Sequence, residues 1–389
     1  MTIVLSACAA SPDATASAAP ISATPSPSPA DAVVVSTSAE LIAALSARVP
    51  HDIVVNPGLY DAPTPFVNNN GHRIRAAQPG AAILTTGLVI GGAAASRGGL
   101  VQGLAFDVAD RKKTLAGAAI NVWGGAKGVR IWDVSVDGHG AIGSAVMARQ
   151  PDGLIIQRLS GYGFTDYGVL VDANDGRRVL ETPALIEDIA ITSVGRPVPR
   201  SAGGTAEACL WVGNTATVRR AVLRSCAWMG LWAGGGLHDS VLEDLVIDDT
   251  PVGVYIEHFA TGSVFQRMLI GPRVHTGVVC EWADPQWDGK PACVDDVIQE
   301  STIDSCVLGL NIGSGTERTT VRNVKFIHQS LAAAIDPQGR GNVYLENDFS
   351  EVGDGALSVV TGARAARIGE VATSVTCPRR TGVQDGRRR

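Results

Sequence analysis

The segment SVLEDLVIDD, from Ser240 to Asp249, recurs as SVFQRMLIGP from Ser263 and as DVIQESTIDS from Asp296. Each copy consists of short apolar strands that are punctuated by Gly, Asp or Asn. Self-similar segments of one or two dozen residues are typical of a solenoid, in which each coil packs only on its neighbours. The repeat therefore predicts an all-β chain built from stacked coils.

Each copy is followed by a second strand that usually begins with glycine. These second strands are Gly168–Asp172, Cys209–Gly213, Gly230–Gly234, Gly253–Glu257, Gly277–Glu281 and Gly309–Gly313. Because strand side chains alternate between two faces, Leu231, Val254, Ile256 and Cys280 are predicted to point into the solenoid and form its core. An antiparallel barrel or sandwich is the alternative, since a single sequence shows strands better than their direction.

The opening of the domain carries a family resemblance. Thr37–Glu40 is a capping box, Leu41, Ile42 and Leu45 form an apolar stripe, and Pro50 ends the predicted helix. The string AELIAALSARVPHDIVVNPGLYD resembles the entrance of pectin-lyase-like proteins, in which an amphipathic helix plugs the open end of the solenoid. The resemblance implies a right-handed single-stranded parallel β-helix with an N-terminal capping helix over residues 33–362, followed by a tail at 363–389.

One outward row of the second strands is rich in aromatic residues. It contains Leu170, Trp211, Trp232, Tyr255, Val279 and Asn311. With coils about 4.8 Å apart, the three aromatic residues are predicted to form an exposed stripe roughly 10 Å long, on which sugar rings can stack. In the alternative, the loop at 195–206 covers these rings and they fill a secondary core.

Two positions further along, a second outward row contains Gly213, Gly234, Glu257, Glu281 and Gly313. Glu257 and Glu281 are thus predicted to lie side by side, where mutual repulsion raises the pKa of one of them. A raised pKa suits a general acid, so the pair is the candidate catalytic centre of a glycosidase. Two solvated surface carboxylates are the alternative.

Resemblance to pectate lyases implies another use of the same pair. There the carboxylates of Glu257 and Glu281 would hold Ca²⁺ together with substrate carboxylates. An arginine or lysine would then abstract a sugar proton, and the candidates are Arg267, Arg273 and Lys290. The sequence otherwise indicates no metal and no cofactor.

The segment ADPQWDGKPAC interrupts the repeat directly after Trp282. Insertions in a solenoid form loops on one face and often carry the binding site. The predicted substrate-binding residues are therefore Trp211, Trp232, Tyr255, His258, Trp282, Asp284, Trp287, Lys290 and Asn311. A loop without function is the alternative for the insertion.

Gly138-His139-Gly140 is similar to the GHG segment of polygalacturonases. The Asn-Thr-Asp, Asp-Asp and Arg-Ile-Lys motifs of that family do not accompany it in the required order, so we interpret the segment as a glycine-rich turn with His139 as a minor candidate. Asp172–Gly176 lacks the closing glutamate of a calcium loop and is likewise interpreted as a turn.

The overall charge, at −6, argues against nucleic acid as a partner. The sequence lacks a GxSxG elbow, a P-loop and a strand-linked GxGxxG. Of the seven cysteines, Cys280 and Cys293 flank the insertion and are predicted to pair if the protein is exported. For Cys209, Cys226, Cys306 and Cys377, buried free thiols are at least as good an interpretation.

The N-terminus resembles an export signal. Leu5-Ser6-Ala7-Cys8, within residues 1–8, resembles the lipobox of bacterial lipoproteins, whose cysteine is lipidated. Residues 9–32 follow as an Ala/Ser/Thr/Pro stretch typical of a tether. We therefore expect an extracellular or cell-surface protein whose contact with a membrane is limited to a lipid anchor at Cys8.

Together these patterns support two hypotheses. In the first, the protein binds and processes polysaccharide in a lateral groove, as a lyase or a glycosidase. In the second, it is a non-catalytic glycan-binding protein or surface scaffold, because a solenoid also offers an extended adhesive face. The sequence indicates no protein partner.

Overall fold

The computed structural model describes residues 32–91, 98–123, 125–172, 180–195, 207–257, 259–281, 292–313, 316–337, 340–353 and 356–361, together with Ile368 and Cys377. All pairings between its named strands are parallel, and each strand pairs with its counterpart one coil further along the chain. The antiparallel alternative is therefore wrong. The architecture is the parallel β-helix that the repeat predicts.

Three sheets run along the solenoid. Sheet I contains the strands Val33–Val35, Asp52–Val55, Gly58–Tyr60, Arg73–Ala76, Ala82–Leu84, Leu100–Gln102, Ala105–Asp107, Arg130–Ile142, Ile155–Phe164, Ala184–Val194, Ala216–Cys226, Val241–Glu243, Val246–Asp248, Val264–Gln266, Leu269–Ile270, Val297–Gln299, Thr302–Ile303, Thr320–Arg322, Lys325–Ile327, Val343–Leu345 and Asp348–Glu351. Sheet II contains Phe66–Asn68, Leu88–Ile90, Ala118–Val122, Ser144–Arg149, Tyr167–Asp172, Ala208–Val212, Met229–Ala233, Val252–Ile256, Thr276–Cys280, Leu308–Ile312, Ala332–Asp336 and Leu357–Thr361. Sheet III contains Ala260–Thr261, Cys293–Val294 and Thr316–Glu317.

The first coil is closed by the helix Ser38–Leu45. Its predicted capping box is present, because the Thr37 side chain accepts from the Glu40 amide and the Glu40 carboxylate accepts from the Thr37 amide. Leu41 and Leu45 are buried as predicted, whereas Ile42 is exposed and Ala44 takes the third buried position. A 3₁₀ turn, Arg111–Lys113, is the other helical element described. Neither helix has the length and apolar character needed to cross a membrane.

The core is a continuous stack of aliphatic side chains from successive coils. The predicted inward residues Leu231, Val254, Ile256 and Cys280 are all fully buried in it. Burying one Val or Ile contributes about 1.5 to 3 kcal/mol, so a stack repeated in every coil offsets the entropy of ordering the chain.

Glycine is the second residue in five of the twelve strands of sheet II, because the inside corner of these coils has no room for a side chain. A Cβ placed on Gly277 would lie 2.4 Å from Cγ2 of Ile303 and 2.6 Å from the Gly309 carbonyl oxygen. The recurrent glycine in the sequence therefore marks a close approach between the core and the backbone of the next coil.

We expect Gly277→Ala to lower the free energy of unfolding by about 3 kcal/mol, because the neighbouring coil must move to admit the methyl group. Urea denaturation of the variant and the wild type measures this difference. A variant as stable as the wild type would show that the corner is looser than described.

Three disulfides cross-link the described residues. Cys280 pairs with Cys293 as predicted. Cys209–Cys226 and Cys306–Cys377 are also disulfides, so the free-thiol interpretation of these four cysteines is wrong. The stacking of coils brings together cysteines whose separation along the chain gives no hint of pairing.

A buried polar stack also follows the solenoid axis. Ser240, Ser263 and Asp296 are linked by hydrogen bonds from the Ser240 amide to the Ser263 hydroxyl, at 3.3 Å, and from the Ser263 amide to Oδ1 of Asp296, at 2.8 Å. Asp296 is 1% exposed, and burial raises the pKa of its carboxyl from 3.8 to about 7. The folded chain therefore holds this carboxyl in its protonated form well above the pH at which the unfolded chain releases the proton.

This shift makes folding sensitive to pH. The stabilisation that the protonated Asp296 carboxyl provides is complete below about pH 4 and is lost as the pH rises to about 7. The free energy of unfolding decreases by about 4 kcal/mol over this range. We expect Asp296→Asn to flatten this decline, as measured by urea denaturation from pH 4 to pH 8. The control is Asp295→Asn. Arg318 lowers the pKa of that exposed carboxyl, so its contribution to the free energy of unfolding increases with pH instead of decreasing. An unchanged pH profile in Asp296→Asn would contradict the prediction.

Candidate functional site

The outward face of sheet II carries a continuous row of side chains in register. Strand pairing places in it Val67, Val89, Asn121, Met147, Leu170, Trp211, Trp232, Tyr255, Val279, Asn311, Ile335 and Val360. The predicted alignment from Leu170 to Asn311 is thereby confirmed. The roles assigned to these residues stay predictions.

The centre of this row is an aromatic cluster. The rings of Trp211 and Trp232 stack with centroids 4.8 Å apart and planes at 15°, and Tyr255 meets Trp232 edge-on at 6.4 Å. Tyr167 joins from the neighbouring row, 5.3 Å from Trp211. Sequence reasoning missed Tyr167, although it directly precedes Gly168 and so stands at the entrance of its strand.

The cluster is half-buried, whereas the sequence predicts an exposed stripe. Met229, Val252 and Val279 lie on the same outward face and pack with Trp232 and Tyr255. Among the described residues, the indole N–H groups of Trp211 and Trp232 have no hydrogen-bond partner. The rings thus form part of a small outer apolar cluster and still keep an accessible portion of their surface.

The second row lies directly beside the aromatic cluster. Amides of Gly234, Glu257, Glu281 and Gly313 each donate to a carbonyl of the preceding coil, at 2.7 to 3.4 Å. Strand pairing adds Asp172 to this row, two residues beyond Leu170. The predicted adjacency of Glu257 and Glu281 on neighbouring coils is confirmed.

The two glutamate side chains lean in opposite directions. Cγ of Glu257 lies 3.3 Å from the point that a Cβ would occupy at Gly234, on the preceding coil. Oε2 of Glu281 lies 3.1 Å from the point that a Cβ would occupy at Gly313, on the following coil. Oε2 of Glu281 also accepts a hydrogen bond from Nδ2 of Asn311, at 3.1 Å. Glycines of the flanking coils therefore make room for both side chains, which lean away from each other.

The two carboxyl groups also have different surroundings. Burial raises the pKa of Glu281, and the hydrogen bond from Asn311 partly offsets this effect. Repulsion by Glu257, the expected cause, is not what raises it. Tyr255 lies within hydrogen-bonding reach of Glu257, and burial raises the pKa of its hydroxyl, which therefore stays protonated and can donate to the Glu257 carboxylate.

Asp172 is a site residue that sequence reasoning interpreted as the start of a turn. It is the last residue of the strand Tyr167–Asp172 and is buried. Its Oδ1 lies 3.5 Å from the point that a Cβ would occupy at Gly213 and 3.6 Å from the corresponding point at Gly235. The Asp172 side chain therefore extends across these glycines towards Glu257. The signal was present in the sequence, because Asp172 follows Leu170 at the spacing by which Glu257 follows Tyr255.

A calcium ion does not fit the two glutamates. Ca²⁺ takes six to eight oxygen ligands, and its carboxylate ligands are ionised. Within the described ranges, no third His, Cys, Asp or Glu converges with Glu257 and Glu281, and Asn311 presents its amide nitrogen to Glu281. The raised pKa of Glu281 also opposes the ionised form that a calcium ligand needs.

The arginines proposed as lyase bases are not brought to this site. Arg267 forms ion pairs with Glu243 at 2.6 Å and Asp244 at 2.7 Å in a bend of sheet I. Arg273 pairs with Asp248 at 2.6 Å. Gly138–Gly140 lies within Arg130–Ile142 of sheet I, but the register shifts between Asp137 and Ile142, and His139 and Gly140 have positive φ, so the segment is a local bend that agrees with the turn interpretation.

Six predicted residues lie outside the described ranges: Cys8, His258, Trp282, Asp284, Trp287 and Lys290. Their roles stay predictions. Of the predicted substrate-binding set, the structure brings together Trp211, Trp232, Tyr255 and Asn311 beside the two glutamates.

The sequence matches no family model and no curated protein. Solved structures do resemble the fold. The catalytic domain of a GH87 alpha-1,3-glucanase in complex with nigerose has 14% identity and a TM-score of 0.55, over 87% of this chain and 67% of that chain. This likeness shows a shared parallel β-helix architecture.

Two further β-helix proteins have similar scores. A PL6 alginate lyase in complex with a trisaccharide has 11% identity and a TM-score of 0.54, over 84% of this chain and 88% of that chain. PfbA, a surface adhesin of Streptococcus pneumoniae, has 10% identity and a TM-score of 0.53 over the same shares. At these identities the likeness concerns the β-helix fold alone.

Proposed function

We propose that this β-helix protein binds a polysaccharide along the aromatic cluster of sheet II and hydrolyses a glycosidic bond with Glu281 and Glu257. The observation that carries the proposal is the row of two carboxyl groups in different environments directly beside the stacked rings of Trp211 and Trp232. An aromatic platform and an acid–base pair are the two components that glycoside hydrolysis requires.

Binding rests on the accessible portion of the half-buried rings. An aromatic ring covers the apolar face of a pyranose, while the sugar hydroxyls need polar partners at the rim. The half-buried Asn311 lies in the same row as the rings and is suited to that task. With Tyr167, the cluster spans four coils, so it can engage successive sugar units of a chain.

The proposed chemistry divides the acid and base roles between the two glutamates. Glu281, whose pKa is raised by burial, donates its proton to the glycosidic oxygen as the bond from this oxygen to the anomeric carbon breaks. Glu257 takes a proton from the water that attacks the anomeric carbon from the opposite face. Because the two side chains lean apart, their carboxyl groups suit the wider separation of an inverting enzyme, about 6.5 to 9.5 Å, better than the retaining one.

Hydrolysis fits the described residues better than β-elimination does. A lyase needs a base near the sugar, and Arg267 and Arg273 are engaged in ion pairs away from the glutamates. The hydroxyl of Tyr255 has a raised pKa and is a poor base. The similarity to a glucanase and an alginate lyase supports a carbohydrate ligand, since both were solved with bound saccharides.

A second candidate is non-catalytic glycan binding. The observation that favours it is the divergence of Glu257 and Glu281, which leaves the aromatic cluster as the dominant feature of the face. The similarity to a surface adhesin is consistent with this role. Hydrolysis assays on the intact protein separate the two candidates.

The proposal includes export to the cell surface. Three disulfides support an oxidising compartment, because such bonds are rare in the reducing cytosol. Lipidation at Cys8 would then hold the protein at a membrane while the β-helix faces outward.

The test incubates the full chain with a panel of neutral and uronic-acid polysaccharides. New reducing ends without unsaturated products in the ultraviolet, and inversion at the anomeric carbon by NMR, are the expected results. Unsaturated products would show that the bond is cleaved by β-elimination and not by hydrolysis. Binding without any product would support the second candidate, and neither binding nor product would refute both.

A further inference from the structure

A second polar cluster lies on sheet I, on a different face from the proposed glycan site. Asp107 and Asp137 are directly opposite each other on adjacent parallel strands, Ala105–Asp107 and Arg130–Ile142. Like charges in this position repel each other across the spacing of about 4.8 Å. Such a pair needs a positive charge between its members.

Elsewhere on sheet I, partly exposed aspartates pair with arginine. Carboxylates of one coil form ion pairs with an arginine of the next coil in Asp133–Arg158, Asp188–Arg220, Asp244–Arg267 and Asp295–Arg318. Asp107 and Asp137 instead face His139, which carries a charge only when protonated. Where the other pairs have the permanently charged guanidinium of arginine, this cluster has the imidazole of His139. A neutral imidazole nitrogen can also bind a metal.

The donor atoms converge. Nε2 of His139 contacts Oδ1 of Asp107 and lies 3.5 Å from Oδ2 of Asp137, and the three ligand atoms lie within 4.8 Å of one another. Ligands of a tetrahedral Zn²⁺ at 2.0 to 2.2 Å are about 3.4 Å apart. Small side-chain rotations are therefore enough to place all three atoms around one ion.

The neighbouring residues hold this arrangement in place. The Tyr162 hydroxyl donates to Oδ2 of Asp137, and the His139 amide donates to Oδ1 of Asp137 at 2.9 Å. Gly138 packs so closely that a Cβ would lie 2.4 Å from the Gly163 carbonyl oxygen. Hydrogen bonds to ligating carboxylates are typical of the outer shell of metal sites.

We propose that Asp107, Asp137 and His139 bind one divalent transition-metal ion of the Zn²⁺ type, through Nε2 of the imidazole and one oxygen of each carboxylate. The mixed nitrogen and oxygen donors select such ions over Ca²⁺ and Mg²⁺, which prefer oxygen alone. Asp107 and His139 are 51% and 42% exposed, so water or a ligand from solution completes the coordination. The site is independent of the glycan site on sheet II.

The chain offers a matched control on the same sheet. His328 pairs with Asp304 at 2.8 Å and is similarly exposed, but the described residues add no third converging donor there. A histidine–carboxylate pair alone is thus present at His328, and the second carboxylate is what distinguishes His139.

The test is a calorimetric titration of the metal-free full chain with Zn²⁺, together with the visible absorption of Co²⁺. We expect a site that His139→Gln and Asp107→Asn each weaken at least about tenfold, with loss of the Co²⁺ bands, while His328→Gln leaves it unchanged. Thermal unfolding of each variant checks that it folds. Absence of Zn²⁺ binding, or equal weakening by His328→Gln, would overturn the proposal, as would binding unaffected by both Asp107→Asn and His139→Gln.

Discussion

Replacing Glu281 by glutamine is expected to lower kcat for polysaccharide hydrolysis by about 10²- to 10⁴-fold, with KM changed only a few-fold. Glutamine keeps the shape of the side chain and its contact with Asn311, but it has no acidic proton to give to the leaving oxygen. Steady-state kinetics on the polysaccharide identified by the panel measures the effect. Glu257→Gln is expected to have a loss of similar size, because the attacking water then lacks its base.

The pH profile adds a separate readout. Because burial raises the pKa of Glu281, the wild-type rate falls when the pH exceeds this pKa and the acid loses its proton. Glu281→Gln removes this alkaline limb. The control is Glu243→Gln, which changes a glutamate of sheet I that pairs with Arg267. Full activity in both Glu257→Gln and Glu281→Gln would contradict the catalytic assignment.

Replacing Trp232 by alanine is expected to weaken glycan binding by about 30-fold, which corresponds to about 2 kcal/mol. Trp232 contacts both Trp211 and Tyr255, so its removal breaks the continuous platform at its centre. Calorimetry with the polysaccharide or its fragments measures the change in Kd. Trp232→Phe should retain much of the affinity, since a smaller ring can still stack.

A matched control for this variant is Trp132→Ala. Trp132 is a half-buried tryptophan of sheet I whose ring centroid lies 4.6 Å from Cζ of Arg158, and the part of the chain that the structure describes adds no stacked ring to it. The control should bind glycan like the wild type. Equal losses in both variants, or no loss in Trp232→Ala, would show that the cluster only fills an outer apolar core.

Much of the fold could be predicted because the physical constraints repeat in every coil. The inside corner admits only a small residue, so glycine marks the start of strand after strand, as at Gly230 and Gly277. Alternation along the strand then fixes the register of Trp211, Trp232 and Tyr255. Equivalent positions in successive coils therefore have the same environment, and the sequence shows the same residue preference several times.

The details of the site depend on contacts between coils that no strand pattern contains. The opposite leans of Glu257 and Glu281 follow from glycines at 234 and 313 on the flanking coils. Arg267 was a plausible base by sequence, yet in the fold it faces Glu243 and Asp244 of the preceding coil. Asp172 was missed because the residues after it looked like an isolated turn.

The central claim is that sugar rings lie on the aromatic cluster with a glycosidic bond between the two glutamates. A crystal structure of the Glu281→Gln chain with an oligosaccharide of the cleaved polysaccharide tests this most directly. We predict a sugar ring against Trp211 and Trp232, with its glycosidic oxygen within hydrogen-bonding distance of residue 281. An oligosaccharide bound on another face, away from both residues 257 and 281, would contradict the account.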